Sequence, residues 1–275
     1  MTLPAHVLLA LGAPGAIVLV GFFLVPLAVV AAEAFGGDGR AFARVLGDPV
    51  FWRGLIGSLM LAATAATVSL AVGAAVALHL SRLGERTRLM LQFLIALPLT
   101  FSGLIVAYGF ILAFGRAGFV TMLLAEVGVD PAAFAGFIYG PAGLAFAYAY
   151  YLVPRVVMLL LPVLVNFDQA QIAAAESLGA PRWRALADVL VPQVLPTALS
   201  AWCLVAAVAF GAYGTALALV GTQVNILPLL LYSKISEGGS DFPAAAALSL
   251  VLMAACTLVM AAAEAFAASR ETSGH

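Results

Sequence analysis

Long apolar runs separated by short polar intervals set the pattern of this chain. Six runs, at about 7–34, 55–80, 89–114, 139–165, 196–220 and 243–268, reach the roughly 20 residues a helix needs to cross a bilayer. Period-two alternation is absent and the runs are far too long for strands, so the pattern predicts an all-α membrane protein with six transmembrane helices, not a barrel. Pro14, Pro26, Pro98, Pro154 and Pro162 lie inside runs, where neighbouring helices must re-satisfy the freed carbonyls. Polar intervals are expected at 36–54, 81–88, 115–138 and 222–242, and no linker marks a second domain, so residues 1–275 read as one transmembrane unit.

Residues 166–196 (NFDQAQIAAAESLGAPRWRALADVLVPQVLP) form the long polar interruption of the second half. Its chemistry predicts helix–turn–helix. A first helix from about Asp168 to Leu178 stops at Gly179, and Pro181 sits where the next helix starts. In that second helix Trp183, Leu186, Ala187 and Leu190 recur at i, i+3, i+4, i+7, which predicts one apolar face anchored by Trp183 against the membrane-facing bundle. Arg182, Arg184 and Asp188 lie off that face.

Composition strengthens the membrane reading. The 275 residues are 64% hydrophobic and 9% charged, against about 25% charged in soluble domains. A net charge of −1 gives no pointer to nucleic acid, and three scattered histidines offer no metal cluster. Cys203 and Cys256 both sit in apolar runs and read as small packing hydrophobes rather than a disulfide. The first run lacks a basic leader and continues to about Ala32, so it is expected to be an anchored span rather than a cleaved signal. The positive-inside rule decides little. With the N-terminus inside, Arg82, Arg86, Arg88, Arg182, Arg184 and Arg270 fall inside and Arg40, Arg44, Arg53, Arg116 and Lys234 outside.

The spacing Ala174-Ala175-x-x-x-Gly179-Ala180, followed by Val189-x-Val191-Pro192 and Pro196, resembles the EAA loop of ABC importer permeases. Phe23-Leu24-Val25-Pro26-Leu27, Asp48-Pro49-x-Phe51-Trp52, Leu97-Pro98 and Tyr151-x-x-Pro154 extend the likeness to the spermidine/putrescine-like branch, which also holds permeases for iron(III) and phosphonates. The resemblance implies a type I importer permease fold with both termini cytoplasmic, in a bacterial inner membrane. It implies as partners a second permease (a different chain by preference), two ATPase subunits and a periplasmic or lipid-anchored solute-binding protein. On that resemblance Ala174, Ala175, Glu176, Gly179, Ala180, Arg182, Trp183, Arg184 and Pro192 form the ATPase-coupling loop. Two positions depart: Ala173 stands where the motif has its acid, and Val191 where a Leu is usual. Glu176, one helical turn on, is a candidate to take over the acidic role.

The chain has no GxxxxGK[ST] phosphate loop, so it is read as a non-enzyme that binds no cofactor, with ATP and Mg on the partner ATPase. The solute pathway has its own candidates. Arg155 is an intramembrane cation, which either snorkels to the interface or stands near the path and disfavours a cationic solute. Tyr148, Tyr151 and Arg155 share a helix face at i, i+3, i+7, and Tyr108 and Tyr213 join them as candidate lining residues or as ordinary packing. Glycines around 210–214 are expected to loosen the fifth span. Small residues at every fourth position (Ala65, Ser69, Gly73, Ala77; Ala207, Gly211, Thr215) fit either packing inside one subunit or a seam between subunits. The expected solute is polyamine-type or another small polar compound. The rival class, an ion-coupled secondary transporter, normally carries intramembrane acids, and none lies mid-span.

Overall fold

The computed structural model describes residues 5–36, 40–221, 224–236 and 241–272, with side chains described for 12–36, 40–221, 224–236 and 241–261. Every regular element among them is helical. Six of the helices or helix combinations are long and apolar enough to cross a membrane: Gly12–Phe35, Pro49–Ser81, Gly103–Glu126, Pro141–Val165, Arg182–Phe210 and Phe242–Ala261.

The first span is α1 (Ala5–Leu19), a π-turn (Val20–Leu24) and α2 (Val25–Phe35). The π-turn ends just before Pro26. A proline cannot donate to the carbonyl four residues back and its ring crowds it, so one extra residue per turn accommodates the ring. Val25 N–H reaches back to Val20 O instead. This span is exposed to its surroundings along much of its length (Phe22 is 84% exposed), as a helix in lipid must be.

Helix α3 (Arg40–Gly47) leads into α4 (Pro49–Ser81). The latter starts six residues earlier than the hydropathy run, because Asp48 caps it by accepting from Val50 N–H at 2.8 Å and Pro49 occupies the first turn. At 33 residues it extends about 50 Å and passes beyond the hydrocarbon core.

The third run, expected as one helix over 89–114, is broken. It forms α5 (Glu85–Ala96), a 3-10 turn (Leu97–Thr100) and α6 (Gly103–Phe114). Pro98 prevents continuation, Phe101 turns extended (ψ 143°), and Ser102 caps α6 by accepting from Ile105 N–H at 3.4 Å. The following interval, expected as a polar connection, folds into α7 (Phe119–Glu126) and α8 (Pro131–Ile138), the latter capped by Asp130.

Helix α9 (Pro141–Val165) is unbroken despite Pro154 and Pro162 and is the most buried span. The hairpin that follows contains α10 (Ala170–Ser177) and α11 (Arg182–Ala185), then a second π-turn (Leu186–Leu190) immediately before Val191-Pro192. Helix α12 (Val191–Phe210) and α13 (Tyr213–Val220) make up the fifth run, interrupted at Gly211–Ala212. Helices α14 (Leu227–Ser236) and α15 (Phe242–Thr272) complete the fold.

At the centre α4, α9 and α12 pack together. Ala65, Ser69, Gly73 and Ala77 are all buried, and a Cβ on Gly73 would fall 2.6 Å from Val156 Cβ. This first stripe is therefore packing within one subunit. The second is split by the helix break: Ala207 is half-buried, Gly211 exposed and Thr215 buried. At one end of the bundle Arg44 pairs with Asp241 at 2.9 Å and Lys234 with Asp48 at 3.9 Å, joining the first and fifth connections. Cys203 and Cys256 are both free.

Candidate functional site

Two places carry the candidate residues: the hairpin after α9 and a cavity among α6, α9 and α13. The hairpin is closed by backbone chemistry. Ala180 N–H donates to Ala175 O at 3.1 Å and Gly179 N–H to Glu176 O at 2.9 Å, the paired bonds of a Schellman turn. Gly179 has φ +90°, a left-handed conformation that a Cβ would strain. Asp168 accepts from Ala170 N–H at 2.9 Å at the start of α10. Helix α10 therefore runs from Ala170 to Ser177, shorter at both ends than 168–178, and Pro181 is the cap of α11 rather than its first residue.

A small core of Phe167, Ile172 and Ala185, with Ala175, Leu186, Val189 and Leu190 against it, joins the two arms. Gln193 Nε2 donates to Gln171 Oε1 at 2.6 Å between α12 and α10. Trp183 does not anchor this core. It is 66% exposed, with the Arg184 guanidinium 5.2 Å from its ring centroid. The inward face is instead Ala185, Leu186, Val189 and Leu190, and Trp183 lies on the opposite side of the helix from Ala185. Leu178, at the turn, is 90% exposed. Ala173, Ala174, Glu176, Arg182, Arg184 and Pro192 are also on the outside, while Ala175 and Ala180 are half-buried.

The second place is a cavity of about 430 Å³ at the two helix breaks. Ser102 and Gly103 from the start of α6, Gly214 and Thr215 from the start of α13, and Tyr151 and Arg155 from α9 all line it. The two helix starts meet closely. A Cβ on Gly103 would collide with Thr215 Oγ1, and one on Gly214 would lie 3.6 Å from Leu104 N. Half-buried Arg155 donates from Nη1 to Tyr151 O at 2.8 Å, and its guanidinium lies 5.6 Å from the Tyr151 ring centroid. Tyr151 is 7% exposed and its hydroxyl is buried with no hydrogen-bond partner.

Of the predicted pathway residues, then, Tyr151 and Arg155 line the cavity and three do not. Tyr148 is fully buried, 5.7 Å from Tyr151 ring to ring, and its hydroxyl donates to Ala212 O at 2.7 Å, fastening the α12–α13 break. Tyr108 is 56% exposed on α6, and Tyr213 stacks on Tyr232 at 5.3 Å. Sequence reasoning missed Ser102, Gly103 and Thr215. A usable signal was present in Ser102, a capping residue type four positions after Pro98 and just ahead of an apolar run. Among the described residues, no group of three or more His, Cys, Asp or Glu is placed to hold a metal.

Comparison with known proteins identifies the family. The family "Binding-protein-dependent transport system inner membrane component" matches residues 69–271. The chain is 29% identical over 238 residues to the chloroplastic sulfate permease 2 of Chlamydomonas reinhardtii, covering 86% of this chain but only 63% of the algal protein. It is 28% identical over 219 residues to the spermidine/putrescine permease protein PotB of Salmonella typhimurium, covering 80% of this chain and 74% of that one. A crystal structure of a bacterial transporter that imports the acidic polysaccharide alginate superposes with a TM-score of 0.75 at 18% identity, covering 96% of both chains. The chain belongs to the binding-protein-dependent transport family: it is a multi-pass inner-membrane permease component, and ATP hydrolysis lies in a separate subunit.

Proposed function

We propose that this permease component pairs with a second, different permease to form the path of a small polar solute handed over by a binding protein. Two ATPase subunits then drive the path through the hairpin at 166–196, which puts that hairpin and both termini on the cytoplasmic side. The observation that carries this reading is the hairpin itself. Gly179 and the Schellman turn make it rigid, yet Leu178 and Trp183 stay 90% and 66% exposed at its outer end. Large apolar side chains on a rigid polar hairpin are the anchors expected of a protein interface. The named solutes of the relatives (sulfate for the algal protein, spermidine/putrescine and 2-aminoethylphosphonate for the Salmonella ones) support a small polar solute without selecting one.

The test is co-purification of the chain with its partner ATPase. Trp183→Ala is expected to weaken association about tenfold or more, as loss of an aromatic anchor does, with ATP-dependent uptake lost in proportion. Because Trp183 is exposed, the fold and the elution profile of the permease alone should not change. Undiminished association would remove the hairpin from the interface. Glu176→Ala in the same assay checks the acid: Glu176 is exposed and outside both ion pairs found among the described residues. A smaller loss of association is expected, and none at all would show that it does not replace the motif acid missing at Ala173.

A further inference from the structure

Three separate features of the 430 Å³ cavity have the same electrostatic sign. The start of α6 leaves Gly103 and Leu104 N–H without intrahelical acceptors, as the first turn of any helix must. The start of α13 does the same for Tyr213 and Gly214, and its cap residue, Ala212, has no side chain able to accept from them. Each of these ends carries roughly half a positive charge, and the contact of Gly103 with Thr215 sets them against each other. Arg155 adds a full positive charge. Its hydrogen bond goes to the Tyr151 carbonyl, and neither ion pair among the described residues includes it. Among the described residues, no carboxylate lines the cavity.

Like partial charges packed together in a membrane cost free energy unless an anion lies between them. Tyr151 lines the same wall, with its hydroxyl buried beneath the surface beside Thr215. Ser102 and Thr215 add hydroxyls beside it. A guanidinium fork, free backbone N–H groups at two helix starts and hydroxyl donors are together the complement of a small oxyanion. A diamine would meet three positive ends and no acid.

We propose that this cavity is an oxyanion subsite on the solute route. It takes a sulfate, phosphate or phosphonate group, held by Arg155 and by the starts of α6 and α13. This rests on the reading of the chain as a permease, which assigns the route but not the charge of what travels along it. The volume accommodates the anionic group together with a short substituent.

The experiment measures equilibrium binding of radiolabelled sulfate to the purified full-length chain in maltoside micelles, which contain no phosphate. Saturable binding is expected, displaced by inorganic phosphate and methylphosphonate and not by putrescine. Arg155→Met should weaken it about 10- to 100-fold, as loss of a charge-assisted pair does, with Arg155→Lys intermediate. Tyr151→Phe, which keeps the packing and removes a hydroxyl the cavity does not reach, should leave it within about twofold. Three outcomes overturn the proposal: no saturable sulfate binding, parental affinity in well-folded Arg155→Met, or displacement by putrescine. A separate arm adds phosphatidylglycerol. If only the lipid binds in an Arg155-dependent way, the site is a lipid site and the solute proposal falls. None of these measurements involves the ATPase, so failure here leaves the coupling test untouched, and failure of coupling leaves the binding result intact.

Discussion

Gly73 and Gly103 are both glycines pressed by a side chain from another helix, Val156 in one case and Thr215 in the other. Their settings are opposite. Gly73 lies mid-helix in α4, inside an unbroken seam with α9, where every backbone donor is used within its own helix. Gly103 is the first residue of α6, where backbone donors have no helical acceptor and a cavity opens beside them. One close approach holds the bundle together and the other brings two helix starts to a common point. In lipid the first needs no compensation, whereas the second must be satisfied by protein, water or a ligand. A small residue in a membrane helix is thus informative only together with the state of the backbone around it.

The largest effect should come from the seam. Gly73→Leu drives a side chain into Val156 and the Val153 carbonyl, with no flexible end to yield. Overpacking of this kind costs about 1–3 kcal/mol, and here it acts on the α4–α9 seam at the centre of the bundle. We expect little folded protein in membranes and early loss of the monodisperse peak on heating. A Gly73→Leu protein as thermostable as the parent would mean that α4 and α9 separate more easily than their contact implies.

Gly103→Ala should separate the two settings. Its single methyl meets the Thr215 hydroxyl, one rotatable group beside an open cavity, so the helix starts shift rather than the bundle. The expected outcome is near-parental thermostability, with an apparent midpoint loss worth about 1 kcal/mol or less, and a clear fall in ATP-dependent uptake. Loss of stability equal to that of Gly73→Leu, with transport per folded molecule unchanged, would erase the distinction.

The sequence pattern showed different parts of this architecture unequally well. Hydropathy counts side chains and ignores backbone state, so it located apolar runs and passed over the interruptions within them. The run at 89–114 is apolar on both sides of Phe101 and reads as one helix, although Pro98 and Ser102 divide it. At 210–214 the glycines themselves marked the break. The face assigned to Trp183 failed because spacing alone cannot choose between two apolar faces of one helix, and the Phe167–Ile172 core takes the one with Ala185 and Val189. Arg155 and Tyr151, one turn apart on one helix, were visible as a pair. Ser102 and Thr215 are far apart in the chain, and only folding places them together.

The smallest effect tests how the break on the fifth run is held. Ala212 follows the break, so its carbonyl accepts a side-chain donor: the Tyr148 hydroxyl, at 2.7 Å, from a fully buried ring on α9. Tyr148→Phe removes that hydroxyl and keeps the ring against Tyr151. A net hydrogen bond contributes about 0.5–1.5 kcal/mol, and the orphaned carbonyl adds to the loss when it cannot reach water. Whole-protein thermostability should therefore fall only slightly, while amide exchange at Ala216, Leu217 and Ala218, the first amides bonded within α13, rises because the start of α13 is no longer fastened to α9. Exchange rising equally along α4 would place Tyr148 in the seam instead of at the break. Exchange unchanged at all three amides would show that Gly103 and Thr215 alone hold the two helix starts in register.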